Sequence, residues 1–112
     1  LIDSITAYRD AGVVKERIIA DPGIGFAKTA AHNLMVLKFL KKLDLEYPIL
    51  IGASRKSFLG TLTGREPQDR LAASLAVAGY AAAAGASFFR VHDVAETVDY
   101  LKTFTAIEDC NT

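Results

Sequence analysis

Apolar residues recur along this chain with two different rhythms. Leu1, Ile2, Ile5 and Tyr8 fall at helical spacing and Gly12 follows, where a left-handed C-terminal cap costs little, so a helix is predicted over residues 1 to 11. Ile18-Ile19-Ala20, Ile49-Leu50-Ile51 and Phe88-Phe89 with Val91 are short runs, apolar without alternation, and they predict strands covered on both faces. Each run leads through a polar or glycine-bearing loop into a helical pattern: Leu34, Leu37, Leu40 and Leu43 after the first, Leu71 to Ala84 after the second, and Val94, Val98 and Leu101 after the third. The second of these helices is dominated by small residues (Ala72, Ala73, Ala76, Ala78 and Ala81 to Ala84), which lets its axis approach a sheet closely before Gly85 ends it. Asp93 and Glu96 match the spacing of a capping box at the start of the third.

The order α-βα-βα-βα implies an α/β fold of parallel strands joined by right-handed crossovers, in a closed barrel or an open doubly wound sheet. Three strands cannot close a barrel, and 112 residues are under half of the roughly 250 that a (β/α)8 barrel needs. The chain also opens on Leu1, directly inside an amphipathic pattern. The expectation is a fragment of a longer protein. It reads as one unit without an internal linker, stable together with the remainder or in an oligomer that supplies the absent strands.

Composition narrows the classes further. The chain is 51% hydrophobic, enough for one core, and its thirteen basic and thirteen acidic residues cancel. That balance offers no electrostatic footprint for nucleic acid or an anionic membrane, so binding to neither is expected. The only cysteine, Cys110, excludes disulfide frameworks and thiolate metal sites within the chain, which fits a reducing, cytoplasmic compartment. No apolar run approaches a membrane-spanning length and no signal peptide is visible.

In parallel α/β proteins the loops after the carboxyl ends of the strands converge on one face. Here those loops carry Asp21-Pro22-Gly23-Ile24-Gly25-Phe26-Ala27-Lys28, Gly52-Ala53-Ser54-Arg55-Lys56-Ser57 and Arg90-Val91-His92-Asp93. One acid facing several bases suits a ligand with a donor-rich heterocycle and an anionic group. Asp21 can accept two parallel N–H bonds from an amino-pyrimidinone edge, Lys56, Arg90 and His92 can hold carbonyl and phosphate oxygens, and Arg90 can also stack on an aromatic ring.

Plainer readings stand beside these. Asp21 before Pro-Gly is a common turn former. Gly23-x-Gly25 lacks the third glycine and acidic partner of a dinucleotide fingerprint, and the Walker A spacing as well. Ser54 lacks the second glycine of a nucleophile elbow, which argues against hydrolase chemistry. His32 is expected on the exposed first turn of a helix, and Tyr8, Phe39, Tyr80 and Phe104 as packing residues.

Taken together, Asp21-Pro22-Gly23-Ile24-Gly25-Phe26-Ala27-Lys28, Ser54-Arg55-Lys56-Ser57 and Arg90-Val91-His92-Asp93-Val94 resemble dihydropteroate synthase in order, spacing and strand-end placement. The resemblance covers essentially the whole chain. It implies that residues 1 to 112 are the carboxyl-terminal part of a pterin-binding TIM (β/α)8 barrel, its last three βα units preceded by one helix. Ala27 stands where the family usually has glycine, which implies that this position does not need a positive φ.

The implied reaction joins 6-hydroxymethyl-7,8-dihydropterin pyrophosphate to p-aminobenzoate in folate biosynthesis, with release of pyrophosphate. Asp21 would bind the amino-pyrimidinone edge of the pterin and Lys56 its carbonyl and ring nitrogen; Arg90 would stack on the pterin and, with His92, contact the pyrophosphate. Ser54 would receive the p-aminobenzoate carboxylate, helped by N–H groups at the start of the following helix, with Phe26 and the stem of Arg55 bordering the ring and Lys28 near the site. Lys56, Arg90 and His92 are thus the expected catalytic groups. Mg2+ would assist through ligands in the amino-terminal half, which implies that the fragment alone is inactive, and family behaviour implies a homodimer through the outer helices. Two rivals compete: the pterin-binding domain of a cobalamin-dependent methyltransferase, and a non-catalytic half-barrel.

Overall fold

In the computed structural model, which describes residues 2–25, 29–42 and 46–111, the three apolar runs lie side by side. Strand β1 (Leu50–Ile51) pairs in parallel with β2 (Phe88–Phe89), Leu50 opposite Phe88 and Ile51 opposite Phe89. The first run contributes one residue, Ala20, in a parallel bridge to Ile49. Its N–H donates to Pro48 O and its carbonyl accepts from Leu50 N–H, both at 2.8 Å. Around the strands stand α1 (Ile2–Asp10), α2 (Ala30–Phe39), α3 (Ser57–Thr63), α4 (Leu71–Ala83) and α5 (Val94–Glu108), with single 3-10 turns at Lys15–Arg17, Leu40–Lys42 and Pro67–Asp69. Each run is followed by a helix, the predicted order; α3 is an addition that the sequence pattern did not separate.

The pairing register sorts the strand residues onto two faces, because side chains alternate with period two. Ala20, Ile49 and Ile51 share a face with Phe89, and on it the first three are buried. This face meets the helices in a core of Ile24, Leu37, Leu40, Ile49, Ile51, Ala53, Phe58, Leu59 and Ala81. Ile5, Ile18 and Ala20 form a smaller cluster, with Val13 and Tyr47 packed against it. The alternate residues point the other way, and Ile19 and Phe88 are 48% and 43% exposed. The expectation of strands covered on both faces is therefore corrected: the helices described here cover one.

Helix packing also revises parts of the sequence reading. On α2 the inward positions are Asn33 and Leu37, continued by Leu40 at i+7, whereas Leu34 faces outward at 41% exposure. Leu43 lies outside the described residues. Gly12 and Gly85 hold φ of 98° and 104°, so the glycines expected to end the first and fourth helices do so in the left-handed region. On α4, Ala78, Gly79 and Ala81 are buried, while Ala72, Ala76 and Ala83 are exposed. The Tyr100 ring of α5 lies against Gly79 so closely that an added Cβ would stand 2.8 Å from Cε1. The small residues thus let α4 meet a neighbouring helix as well as the sheet.

Of the aromatics expected to pack, Tyr8, Phe39 and Tyr80 are instead 60%, 44% and 44% exposed, and Phe104 is half-buried against Tyr100 at 6.3 Å between ring centroids. Lys42 and Lys41 lie over the exposed Phe39 and Tyr80 rings at 5.0 and 5.7 Å. No described helix is long and apolar enough to cross a membrane.

Candidate active site

The strand register carries directly into the site. By alternation Asp21, Gly52 and Arg90 extend the face that bears Ile19, Leu50 and Phe88, so the polar residues stand at the carboxyl ends of the strands on the uncovered side. Arg90 N–H continues the ladder to Ile51 O at 3.0 Å. Its guanidinium then passes across Gly52, where an added Cβ would stand 2.9 Å from Cζ and 3.2 Å from Nε. On the far side Arg90 Nη1 comes within 3.9 Å of Asp21 Oδ2. Gly52 is the gap through which the third strand's cation reaches the first strand's acid.

Asp21 serves its own loop as well. Oδ1 accepts the Gly23 N–H at 2.8 Å, the side-chain turn that Asp-Pro-Gly favours. A carboxylate has about four lone-pair sites, so the structural bond leaves capacity to accept ligand N–H groups. The same loop is anchored by Asn33, 2% exposed, whose Oδ1 accepts the Gly25 N–H at 2.8 Å. Lys56 reaches over from the next strand end and its ammonium donates to Ile24 O at 2.7 Å. Gly25, at φ 88°, leaves room for that stem: an added Cβ would lie 3.4 Å from Lys56 Cε and closer still to Cδ.

The second and third loops are joined twice. Buried Ser54 accepts the His92 N–H at 3.2 Å, and its Oγ lies 3.0 Å from His92 Nδ1. When Nδ1 is the unprotonated ring nitrogen, the hydroxyl donates to it. Arg55 holds Asp93 with two bonds, Nη2 to Oδ1 at 2.7 Å and Nε to Oδ2 at 3.2 Å. These hydrogen bonds hold the Asp93 carboxyl below its usual range against the opposing effect of desolvation, and the positive charges of Arg55 and His92 add to the lowering.

That ion pair replaces the predicted capping box. Asp93 is the N-cap of α5, yet its side chain makes no cap bond. Its carbonyl accepts from Thr97 N–H and Oγ1 instead, at 3.0 and 2.7 Å. A carboxylate offered a two-armed guanidinium by another loop gains more than one local N–H would supply.

The structure brings Arg90 to Asp21 and Lys56 to the loop that Asp21 opens, and it joins Ser54 to His92 and Arg55 to Asp93 between the second and third loops. Phe26, Ala27 and Lys28 lie outside the described residues. His32 is exposed, as expected for a residue outside the site. Gly52, Asn33 and Asp93 are site-building residues that the sequence reading left without that role. Among the described residues no group of three or more His, Cys, Asp or Glu side chains comes together to hold a metal ion.

A carboxylate and several cations after the carboxyl ends of parallel strands have the chemistry to meet both hydrogen-bond donors and anionic oxygens. Comparison makes the class specific. A family model described as pterin binding enzyme matches residues 2–92, and the chain belongs to that family. Dihydropteroate synthase of Escherichia coli (strain K12) is 42% identical over 106 residues, covering 94% of this chain and 38% of that protein. The crystallised dihydropteroate synthase of Xanthomonas albilineans is 45% identical. In complex with 7,8-dihydropteroate it superposes with TM-score 0.95 over 98% of this chain and 43% of its own. With 4-aminobenzoic acid the corresponding values are 0.94, 98% and 42%. The chain thus spans about two fifths of the length of these relatives.

Proposed function

We propose that this chain is the carboxyl-terminal portion of a dihydropteroate synthase, contributing the last three βα units of a (β/α)8 barrel after one helix. The carrying observation is that Arg90 Nη1 stands 3.9 Å from Asp21 Oδ2 across adjoining strand ends, while Lys56 donates to Ile24 O in the loop that Asp21 opens. Relatives over 40% identical across nearly the whole chain carry that name, and one was crystallised with 7,8-dihydropteroate. Further strands of the longer protein would cover the face that bears Ile19 and Phe88.

In this reading the substrates are 6-hydroxymethyl-7,8-dihydropterin pyrophosphate and p-aminobenzoate. Asp21 accepts the N–H groups of the amino-pyrimidinone edge, and Lys56 donates to the pterin carbonyl and ring nitrogen. Arg90 stacks on the pterin and contacts the pyrophosphate together with His92. Ser54 and the stem of Arg55 face p-aminobenzoate, with Phe26 and Lys28 alongside. The arylamine nitrogen forms a bond to the pterin methylene carbon as the bond from that carbon to the pyrophosphate oxygen breaks. The nitrogen loses one proton and pyrophosphate leaves with the electron pair. Cations over the leaving oxygens lower this barrier by neutralising charge that develops there, so positioning and electrostatics matter more than a strong base. Mg2+ would hold pyrophosphate through ligands in the amino-terminal half of the longer protein.

The reading further includes a cytoplasmic homodimer, supported by apolar side chains that stand exposed on the outer helices, Leu34, Tyr80 and Val98 among them. The test is synthase turnover by the full-length protein from the two substrates. Arg90→Ala and Lys56→Ala should each lower kcat/KM by about 2–4 kcal/mol of transition-state stabilisation. Wild-type rates in both variants, or no condensation by the unaltered protein, would overturn the assignment.

A further inference from the structure

Arg55 is, among the described residues, the one non-glycine residue with a positive φ, at 56°. An L side chain in that region costs free energy and persists only where its surroundings over-determine it. Here both backbone polar groups of Arg55 are gripped from the segment that opens α4. Its N–H donates to Ser74 Oγ at 2.9 Å, and its carbonyl accepts from Arg70 Nη1 at 2.9 Å. The two gripping residues are tied to each other, since the Ser74 hydroxyl donates to Arg70 O at 2.6 Å.

Arg70 is itself fixed. Its Nε donates to Arg65 O at 2.9 Å, and its guanidinium lies across Gly60 of α3, where an added Cβ would stand 2.7 Å from Cζ. On the other side of the same residue, the Arg55 guanidinium clasps Asp93 in the loop that carries Arg90 and His92.

We propose that Ser74 and Arg70 are positioning residues: by holding both the N–H and the C=O of Arg55 they impose its left-handed conformation and so aim Ser54 and Arg55 into the site. The left-handed step turns the chain between Ser54, which faces His92, and Lys56, which crosses to the neighbouring loop. Without the clamp Arg55 relaxes towards negative φ, and Ser54 and the Arg55 stem move with it. Lys56 keeps its own anchor on Ile24 O. The clamp therefore serves the p-aminobenzoate side of the proposed reaction more than the pterin side, an assignment that rests on the synthase reading above.

The experiment uses the full-length protein with Ser74→Ala, which removes the acceptor, and Ser74→Thr, which restores a hydroxyl. In Ser74→Ala the Arg55 amide should exchange with solvent at least about tenfold faster, because it loses its acceptor. The KM for p-aminobenzoate should rise about tenfold with that for the pterin pyrophosphate within about twofold, and Ser74→Thr should return both readouts towards the unaltered protein. Arg70→Lys, which keeps the charge but loses the fork, should give the same split between the two KM values.

Unchanged Arg55 exchange in Ser74→Ala would overturn the clamp. Accelerated exchange with both KM values unmoved would overturn its role in positioning. If the unaltered protein makes no dihydropteroate, it is the synthase reading that falls, and amide exchange still decides whether Ser74 holds Arg55.

Discussion

Replacing Gly52 by alanine should separate function from stability, because the residue is small for the sake of one neighbouring side chain. An added Cβ would stand 2.9 Å from Arg90 Cζ and 3.2 Å from Nε. Carbon atoms pack comfortably at about 3.5–4.0 Å, so the guanidinium must retreat by about 1 Å. Its stem is flexible and the Arg90 side chain is 58% exposed, so it can swing out without disturbing the core. The stability lost is the Arg90–Asp21 attraction, at 3.9 Å between half-exposed groups, worth under about 1 kcal/mol. Function should suffer more. A misplacement of about 1 Å in a group that stabilises the transition state costs on the order of 100-fold in rate, or about 2.7 kcal/mol.

Steady-state kcat/KM on the full-length protein, read beside its urea midpoint, measures both quantities. The double variant Gly52→Ala/Arg90→Ala should be no slower than Arg90→Ala alone, since Gly52 acts only through Arg90. Wild-type kcat/KM in Gly52→Ala would refute the reasoning. So would independent, additive losses in the double variant, which would mean that Gly52 serves something other than the passage of Arg90.

Other perturbations test the frame around that passage. Asn33→Ala takes the acceptor from the Gly25 N–H at a position 2% exposed, and the urea midpoint should fall by the equivalent of about 1–3 kcal/mol. Because the folded Asp93 carboxyl is held below its usual value, its contribution to stability is present above the unfolded value of about 3.9 and is lost as pH falls through the lowered folded one. Urea midpoints followed from about pH 6 to pH 3 should therefore drop less steeply in Asp93→Asn than in the unaltered protein. Leu59→Ala empties a site 1% exposed in the main core and should cost about 2–5 kcal/mol by the same measurement. His32→Ala removes an exposed side chain, and both stability and turnover should stay within about 0.5 kcal/mol of the unaltered protein.

Strand order and the placement of polar residues after the strands were legible because both depend on local pattern. Short apolar runs followed by glycine-bearing loops mark parallel strands, and Asp21, Lys56 and Arg90 stand just past their ends. Residues whose partners are distant in sequence were not legible. Asn33 sits beside Leu34 on a helix whose leucines suggested the buried stripe, and only the packed orientation of α2 reveals that Asn33 faces inward to hold Gly25. Asp93 and Glu96 have the spacing of a capping box, but a guanidinium from thirty-eight residues earlier in the chain outbids the local N–H groups. Ser74 and Arg70 carry no sequence signal, since their role depends on where α4 starts relative to the loop after β1. Helix α3 was missed because its buried residues, Phe58 and Leu59, are adjacent and lack the repeat over several turns that announces a longer helix.

The alternation that exposes Ile19 and Phe88 is also what builds the site. Strand side chains repeat every two residues, so the face holding Ile19, Leu50 and Phe88 must, one step further along, hold Asp21, Gly52 and Arg90. A one-residue slip of β2 against β1 would send Arg90 to the helix-covered side, where its charge would meet the packed apolar core. The apolar row and the polar rim are thus one structural commitment. In the barrel reading, the same further strands that remove Ile19 and Phe88 from water also wall the cavity above Asp21 and Arg90. Completion of the fold and completion of the pocket are then a single event, in which the acid and its cations lose solvent and gain strength together.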